Sequence, residues 1–100
     1  MIPDTAMLMS GDTPPSGLTR PQQALWWLRK GNFAMGPAWE NAHRLCQEQE
    51  GDRQHDMVHA LAHWIEGDDA NAAYGYRRVG GGRAATIAAE WERVAEELST

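Results

Sequence analysis

Residues 59–80, HALAHWIEGDDANAAYGYRRVG, predict a helix, a short turn and a second helix. The glycine Gly67 is suited to end the first helix, and Asp68 or Asp69 directly after it is suited to cap the second. Apolar residues recur at helical spacing in and just before this stretch and form one stripe: Val58, Leu61, Ala62 and Ile65. The stretch therefore predicts a helical hairpin whose first helix covers residues 53–66.

Signals of the same kind predict further helices on both sides of this hairpin, and no segment shows the alternation of a strand. Thr19 and Pro21 predict the start of a helix over residues 22–30, and a second helix follows over about residues 38–49. Three glycines at positions 80–82 separate the hairpin from a last helix that begins near Thr86. That helix carries one apolar stripe: Ile87, Trp91, Val94 and Leu98. We predict an all-α fold of about five helices, arranged as two antiparallel hairpins plus a C-terminal helix.

Composition and charge indicate one small globular domain and argue against two classes of partner. The chain has 100 residues, 42% hydrophobic and 23% charged, with a formal net charge of −5. An acidic chain is poorly suited to nucleic acid or an anionic membrane, since both attract clustered Lys and Arg. No apolar run approaches the ~20 residues that span a bilayer. We expect residues 1–18 to form a flexible N-terminal arm and residues 19–100 a single helical domain.

Cysteine usage and the N-terminus predict a cytoplasmic protein. Cys46 is the single cysteine, so no intrachain disulfide is possible, which is typical of a reducing compartment. Cys46 lies in an amphipathic helical pattern, which favours a buried hydrophobe over a nucleophile. The N-terminus also lacks the positive and apolar segments of a secretory signal.

The chain contains five tryptophans, which suit either a core or a partner surface. A short chain gains much buried area from each large aromatic ring, so we expect most of them in the core. Exposed aromatic rings would instead anchor a protein partner or a second copy of the chain. The candidate anchors for such an interaction module are Trp26, Trp27, Trp39, Trp64, Tyr74 and Tyr76.

An internal echo accompanies the hairpin pattern, because Ala24-Leu25 and Gly31-Asn32 recur 36 residues later as Ala60-Leu61 and Gly67-Asp68. At these residues the chain resembles the tetratricopeptide repeat. The matching positions are the turn glycine, the small residue after it, the aromatic four residues later and the small residue at the helix crossing: Gly67, Ala72, Tyr76 and Ala60. The resemblance covers residues 55–80 well and residues 22–50 loosely. It implies helix hairpins that present a groove to a protein partner, with the last helix capping the stack.

The chain is also similar to a group of small, uncharacterised bacterial proteins. The shared run consists of His59-Ala60, His63, Glu66-Gly67-Asp68, Asn71-Ala72 and the segment 74–78. This group has no assigned activity, so the similarity implies no function.

A strip of polar residues on the predicted third helix is the candidate metal site. His55, His59, His63 and Glu66 fall together about a quarter turn from the apolar stripe. Histidines four residues apart on a helix can bind one metal ion, and a carboxylate one turn later can be a third ligand. We therefore name His59, His63 and Glu66 as candidate ligands for zinc or another divalent transition metal. His43 on the neighbouring helix is a candidate fourth ligand.

Two other interpretations of these histidines stay open. The tetratricopeptide resemblance implies that His59 and His63 occupy packing positions between helices, where a neutral imidazole packs and forms a hydrogen bond. The same side chains could serve as acid and base in a small enzyme, provided that a concave pocket lies beside them. The sequence carries no catalytic signature: Ala60 stands where a zinc protease has its catalytic glutamate. We therefore expect a non-enzymatic protein that associates with a protein segment or with itself, or a metal-binding protein.

Overall fold

The computed structural model describes residues 11–99, and the regular structure in this range is entirely α-helical. The five helices are α1 (Arg20–Lys30), α2 (Pro37–Gln47), α3 (Arg53–Glu66), α4 (Asp69–Arg78) and α5 (Ile87–Leu98). The predicted all-α architecture of about five helices is confirmed. The structure ends α2 at Gln47, two residues before the predicted end, and a turn follows that leads into α3.

Side-chain caps begin the helices at the positions that the sequence suggests. Thr19 and Gln22 form a reciprocal capping box, in which each side chain accepts the backbone N–H of the other residue. Three further caps accept a backbone N–H from three residues later: Asp52, Asp68 and Thr86. Gly67 ends α3 in the left-handed conformation with φ of 84°, which costs glycine little. These local signals explain why the sequence predicted most helix boundaries closely.

Helix α3 lies at the centre of the domain and packs against each of the other four helices. It is therefore buried on more than the single stripe that the periodicity predicted. Ile65 from that stripe is only partly buried, whereas several residues outside the stripe are covered by neighbouring helices. The buried residues of α3 are His55, Asp56, Met57, Val58, Ala60, Leu61 and Ala62.

Three tryptophans form much of the core. Trp26, Trp39 and Trp91 are buried, as expected for most of the large aromatic residues. The indole N–H of Trp39 donates to the carbonyl of Ala62 at 2.8 Å, and that of Trp91 donates to the carbonyl of Leu25 at 2.7 Å. Each bond satisfies the polar atom of a buried ring and ties one helix to the backbone of another. Trp39 in this way fixes α2 against α3.

Helices α3 and α4 cross in unusually close contact at Ala60 and Gly75. A Cβ atom at position 75 would lie 2.9 Å from the Cβ of Ala60. That distance is shorter than normal contact between two carbon atoms. Ala72 and Tyr76 are buried beside the same crossing, with Trp64 packed against them. The small residue of the tetratricopeptide resemblance, Ala60, thus lies at a close helix crossing in this fold.

A buried carboxylate attaches α5 and the glycine-rich loop to the rest of the domain. Glu90 is fully buried and accepts the backbone N–H of Ala84 at 2.8 Å. The guanidinium of Arg93 donates to both oxygens of Glu90, at 2.8 and 2.6 Å. This bidentate pair provides the partners that a buried charge requires.

The two turns of the internal echo differ in their backbone. Gly67 is left-handed, but Gly31 has φ of −83°. In the first turn, Asn32 and Phe33 instead adopt positive φ values of 57° and 54°. A Cβ atom at position 31 would lie 3.0 Å from the Cβ of Ala38, so this glycine allows the start of α2 to approach closely. The repeated glycines therefore serve different physical needs.

The remaining predictions concern the terminus, the cysteine and membranes. Residues 1–10 of the predicted arm lie outside the described residues, while residues 11–18 contain no helix and Leu18 packs against the core. Cys46 is buried as predicted, and burial raises the pKa of its thiol to about 12. Between residues 11 and 99, no helix has the length and apolar character needed to cross a membrane.

The Gly75→Ala substitution tests the close crossing of α3 and α4. In an ordinary helix this change stabilises by up to ~1 kcal/mol, because alanine has the better helix propensity. Here we expect a loss of roughly 1–3 kcal/mol in the free energy of unfolding, since the new methyl group overlaps Ala60. Urea denaturation measures the change. Adding Ala60→Gly should recover part of the loss, whereas a stabilised Gly75→Ala protein would contradict the close contact.

Candidate functional site

Three histidines from two helices meet at one point on the surface of α3. His59 and His63 lie four residues apart on α3, and their rings stack with centroids 4.6 Å apart. His43 on α2 meets them edge to face, with its centroid 4.8 Å from His59 and 5.5 Å from His63. One ring nitrogen from each histidine lies within 4.8 Å of the others. The structure therefore brings together three of the four predicted metal ligands.

The position of His43 follows from the packing of Trp39. The two residues are four apart on α2, and their rings stack with centroids 4.7 Å apart. The hydrogen bond from Trp39 to Ala62 holds the indole against α3. Trp39 thereby sets the height and rotation at which His43 faces the two histidines of α3.

The predicted ligand Glu66 has a different place. Its Oε1 atom lies 2.8 Å from Nδ1 of His63, so the carboxylate accepts a hydrogen bond from the N–H of that ring nitrogen. Glu66 is outside the group formed by His43, His59 and His63, and lies instead in a second possible metal-binding group with His63 and Asp68. A carboxylate that binds Nδ1 fixes the ring and leaves Nε2 of His63 as the acceptor. The geometry thus gives Glu66 the role of orienting a candidate ligand.

His55, at the start of the predicted strip, is separate from the cluster. It is buried one turn earlier on α3, and its Nδ1 lies 2.6 Å from the carboxylate of Asp52. This contact lowers the pKa of Asp52, mainly because the histidine hydrogen-bonds to the charged form of the carboxylate. Its contact with the helix cap indicates that His55 stabilises the start of α3.

Burial makes His43 and His59 poor proton acceptors. It lowers the pKa of His59 to about 4, and the neighbouring His63 and His43 add to the effect because two positive rings would repel. The pKa of His43 is lowered for the same two reasons, burial first and then His63. The carboxylates of Glu66 and Glu50 oppose the lowering at His43. At neutral pH the rings of His43 and His59 are therefore uncharged, the form in which imidazole binds metal.

One nitrogen of the cluster has no hydrogen-bond partner. Nε2 of His59 is shielded from solvent, and no described residue donates to it or accepts from it. A buried polar atom of this kind usually has a partner, because leaving it unsatisfied costs roughly 1–3 kcal/mol. A metal ion is one partner that would satisfy a neutral imidazole nitrogen.

A pocket of about 140 Å³ lies beside the histidines, between α3 and α4. Asp56 in its wall accepts the backbone N–H of Gly51 at 3.2 Å and pairs with Arg78 at 3.4 Å. The residues that line the pocket are Glu50, Asp56, His59, Ala60, His63, Asn71, Tyr74, Gly75 and Arg78. The sequence did not point to Glu50, Asn71 or Arg78 as part of a site, because their meeting depends on how the helices cross.

The structure leaves few of the predicted aromatic anchors accessible. Trp26, Trp39 and Tyr76 are buried by this chain's own helices, which leaves little of their rings for a partner. Trp27 and Trp64 are partly buried. Their exposed area is reduced by packing against the core, and Arg83 covers one face of Trp64 at 4.3 Å. Tyr74, with 54% of its surface exposed, is the most exposed of the six candidate anchors.

Comparisons with protein-family models, with curated proteins and with solved structures found no match to this chain. The resemblances to the tetratricopeptide repeat and to small bacterial proteins therefore stay predictions. The site has to be interpreted from its own chemistry.

The metal-free protein should lose stability as the pH falls from about 6.5 to 4. The folded state disfavours protonation of His59, whose pKa is lowered to about 4, while the unfolded chain takes up a proton near pH 6.5. The contribution of neutral His59 to the free energy of unfolding is therefore complete above pH 6.5, and it is lost as the pH falls to about 4. Because His59 is only partly buried, we expect the free energy of unfolding to fall by roughly 1–2 kcal/mol over this pH range. Urea denaturation in chelator at pH 7, 6, 5 and 4.5 measures this, and His59→Gln should show a shallower dependence. If the free energy of unfolding falls equally with pH in wild type and His59→Gln, the loss does not come from His59.

Proposed function

We propose that this protein binds a divalent transition metal ion through His43, His59 and His63. The observation that carries the proposal is that one ring nitrogen from each histidine lies within 4.8 Å of the others. Around zinc, with bonds of 2.0–2.1 Å, tetrahedral ligands are separated by about 3.4 Å. Small side-chain rotations about Cα–Cβ would close the remaining distance.

The chemistry of the donors supports the same conclusion. Neutral imidazoles suit zinc, copper, iron and nickel, and they need no proton loss before binding. Glu66 orients His63 through Nδ1, an arrangement that accompanies many histidine ligands of metals. The unpartnered Nε2 of His59 would gain a partner. We favour zinc as the physiological ion, because imidazole binds it well and tetrahedral geometry suits it.

Metal binding fits these histidines better than acid–base catalysis. The pocket beside them meets the geometric requirement for an enzyme site. A general base works best with a pKa near the working pH, however, and His59 has a pKa of about 4. The same lowered pKa is an advantage for a metal ligand, because protons compete less for the nitrogen.

Metal analysis of tag-free protein with matched histidine variants tests the proposal. Wild-type protein supplied with zinc and dialysed should retain one equivalent of metal. We expect His59→Gln and His63→Gln to weaken zinc binding at least tenfold, because each removes one of three ligands. His55→Gln is the control, since His55 lies on the same helix but contacts Asp52. Folded wild-type protein that retains no metal, or an equal loss in the control, would contradict the proposal.

A second proposal, association through an exposed aromatic residue, rests on Tyr74. It is 54% exposed on α4, a helix whose extensive contacts are with α3. Exposed tyrosines are common anchors at interfaces between proteins. The partner would be a protein segment or a second copy of the chain, held by a tetratricopeptide-like hairpin. We also propose that the protein is cytoplasmic, because its single cysteine is typical of a reducing compartment.

Self-association can be measured by sedimentation over a wide range of concentration. If Tyr74 anchors a homodimer, Tyr74→Ser should weaken the dimer by about tenfold or more, since anchors contribute over ~1.4 kcal/mol. Arg77→Ser on the same helix is the control. A wild-type protein that stays monomeric at high concentration would contradict self-association.

A further inference from the structure

A metal ion bound by the three histidines would have one coordination position left to fill. Zinc in proteins is usually four-coordinate, so a His₃ site requires a fourth ligand or water. His59 and His63 both line the pocket between α3 and α4, so a fourth ligand would most directly come from there. Three acidic side chains lie near enough to the histidines to affect their charge: Glu50, Asp56 and Glu66.

Two of these carboxylates already have partners. Glu66 accepts a hydrogen bond from His63. Asp56 is buried, accepts the backbone N–H of Gly51 and pairs with Arg78. Moving either carboxylate toward the metal would break contacts that hold the site or the start of α3. Glu66 and Asp56 are therefore poor candidates for the fourth metal ligand.

Glu50 has no such constraint. Its carboxylate forms no hydrogen bond or ion pair with any residue between 11 and 99. It lines the same pocket as His59 and His63, and its charge acts on His43. Its carboxylate lies outside the group in which the histidine nitrogens are within 4.8 Å of one another, so a change of rotamer is needed to bring it to the ion. It is exposed in the turn between α2 and α3, next to Gly51 with φ of 95°. An exposed side chain in a short turn can change rotamer at little cost.

We propose that the carboxylate of Glu50 is the fourth ligand and closes a tetrahedral site of three imidazoles and one carboxylate. This inference rests on the proposed metal binding. One carboxylate partly neutralises a divalent ion among three neutral rings. The ion would join α2, the turn that follows it and α3. A closed site of this kind is typical of structural or storage metals, and it keeps small anions away from the ion.

Cobalt-substituted protein provides the test, because the d–d absorption of Co²⁺ reports its ligands. Wild-type protein should show an intense tetrahedral spectrum that changes little on addition of thiocyanate. Glu50→Ala should bind cobalt at least tenfold more weakly, and its spectrum should change with thiocyanate because water occupies the fourth position. Glu48→Ala is the control. It removes the same charge from the same segment, but Glu48 pairs with Arg20 instead.

The outcomes separate the two proposals. If the wild-type spectrum responds to thiocyanate as strongly as that of Glu50→Ala, the fourth position is open and Glu50 is not a ligand, although metal binding stands. If Glu50→Ala keeps the cobalt affinity and spectrum of wild type, the inference is equally overturned. If the folded wild-type protein retains neither zinc nor cobalt, the proposed function fails and this inference fails with it. If it retains zinc but develops no tetrahedral cobalt spectrum, only this inference is overturned.

Discussion

The contact between Ala60 and Gly75 determines how closely α4 can approach the central helix. A side chain at position 75 would meet Ala60 at 2.9 Å, so the crossing depends on having glycine there. Close approach in turn places Tyr74 and Arg78 of α4 beside the histidines of α3 and forms the pocket between the two helices. The geometry of the candidate site therefore depends on a packing contact between two small residues.

The histidine cluster combines packing with unsatisfied polar chemistry. The rings of Trp39, His43, His59 and His63 pack by stacking and edge-to-face contact and fill space between α2 and α3, as aromatic residues do in a core. Burial keeps the imidazoles of His43 and His59 neutral, and one nitrogen of His59 is without a partner. A purely structural role explains the stacking. It leaves the buried nitrogen of His59 without a partner, which the proposed metal ion would supply.

Sequence reasoning predicted much of the fold and part of the site. Caps such as Thr19 and Asp52 act through hydrogen bonds within a few residues, so their effects are visible in the chain itself. The pairing of His59 with His63 follows from helix geometry, and His43 was named as a further ligand. Helix geometry did not predict the partner of Glu66. Whether its carboxylate contacts a metal ion or His63 depends on side-chain rotamers, which the sequence does not specify.

The sequence by itself determined most of the positions where the helices begin and end, since capping, helix propensity and turn glycines are local properties. It also determined that two histidines share one face of α3. Only the tertiary structure decided that Tyr76, Trp26 and Trp39 are buried instead of available to a partner. It alone placed Glu50 in the same pocket as His59. These features depend on the angle and distance at which helices cross, which result from packing between residues far apart in the chain.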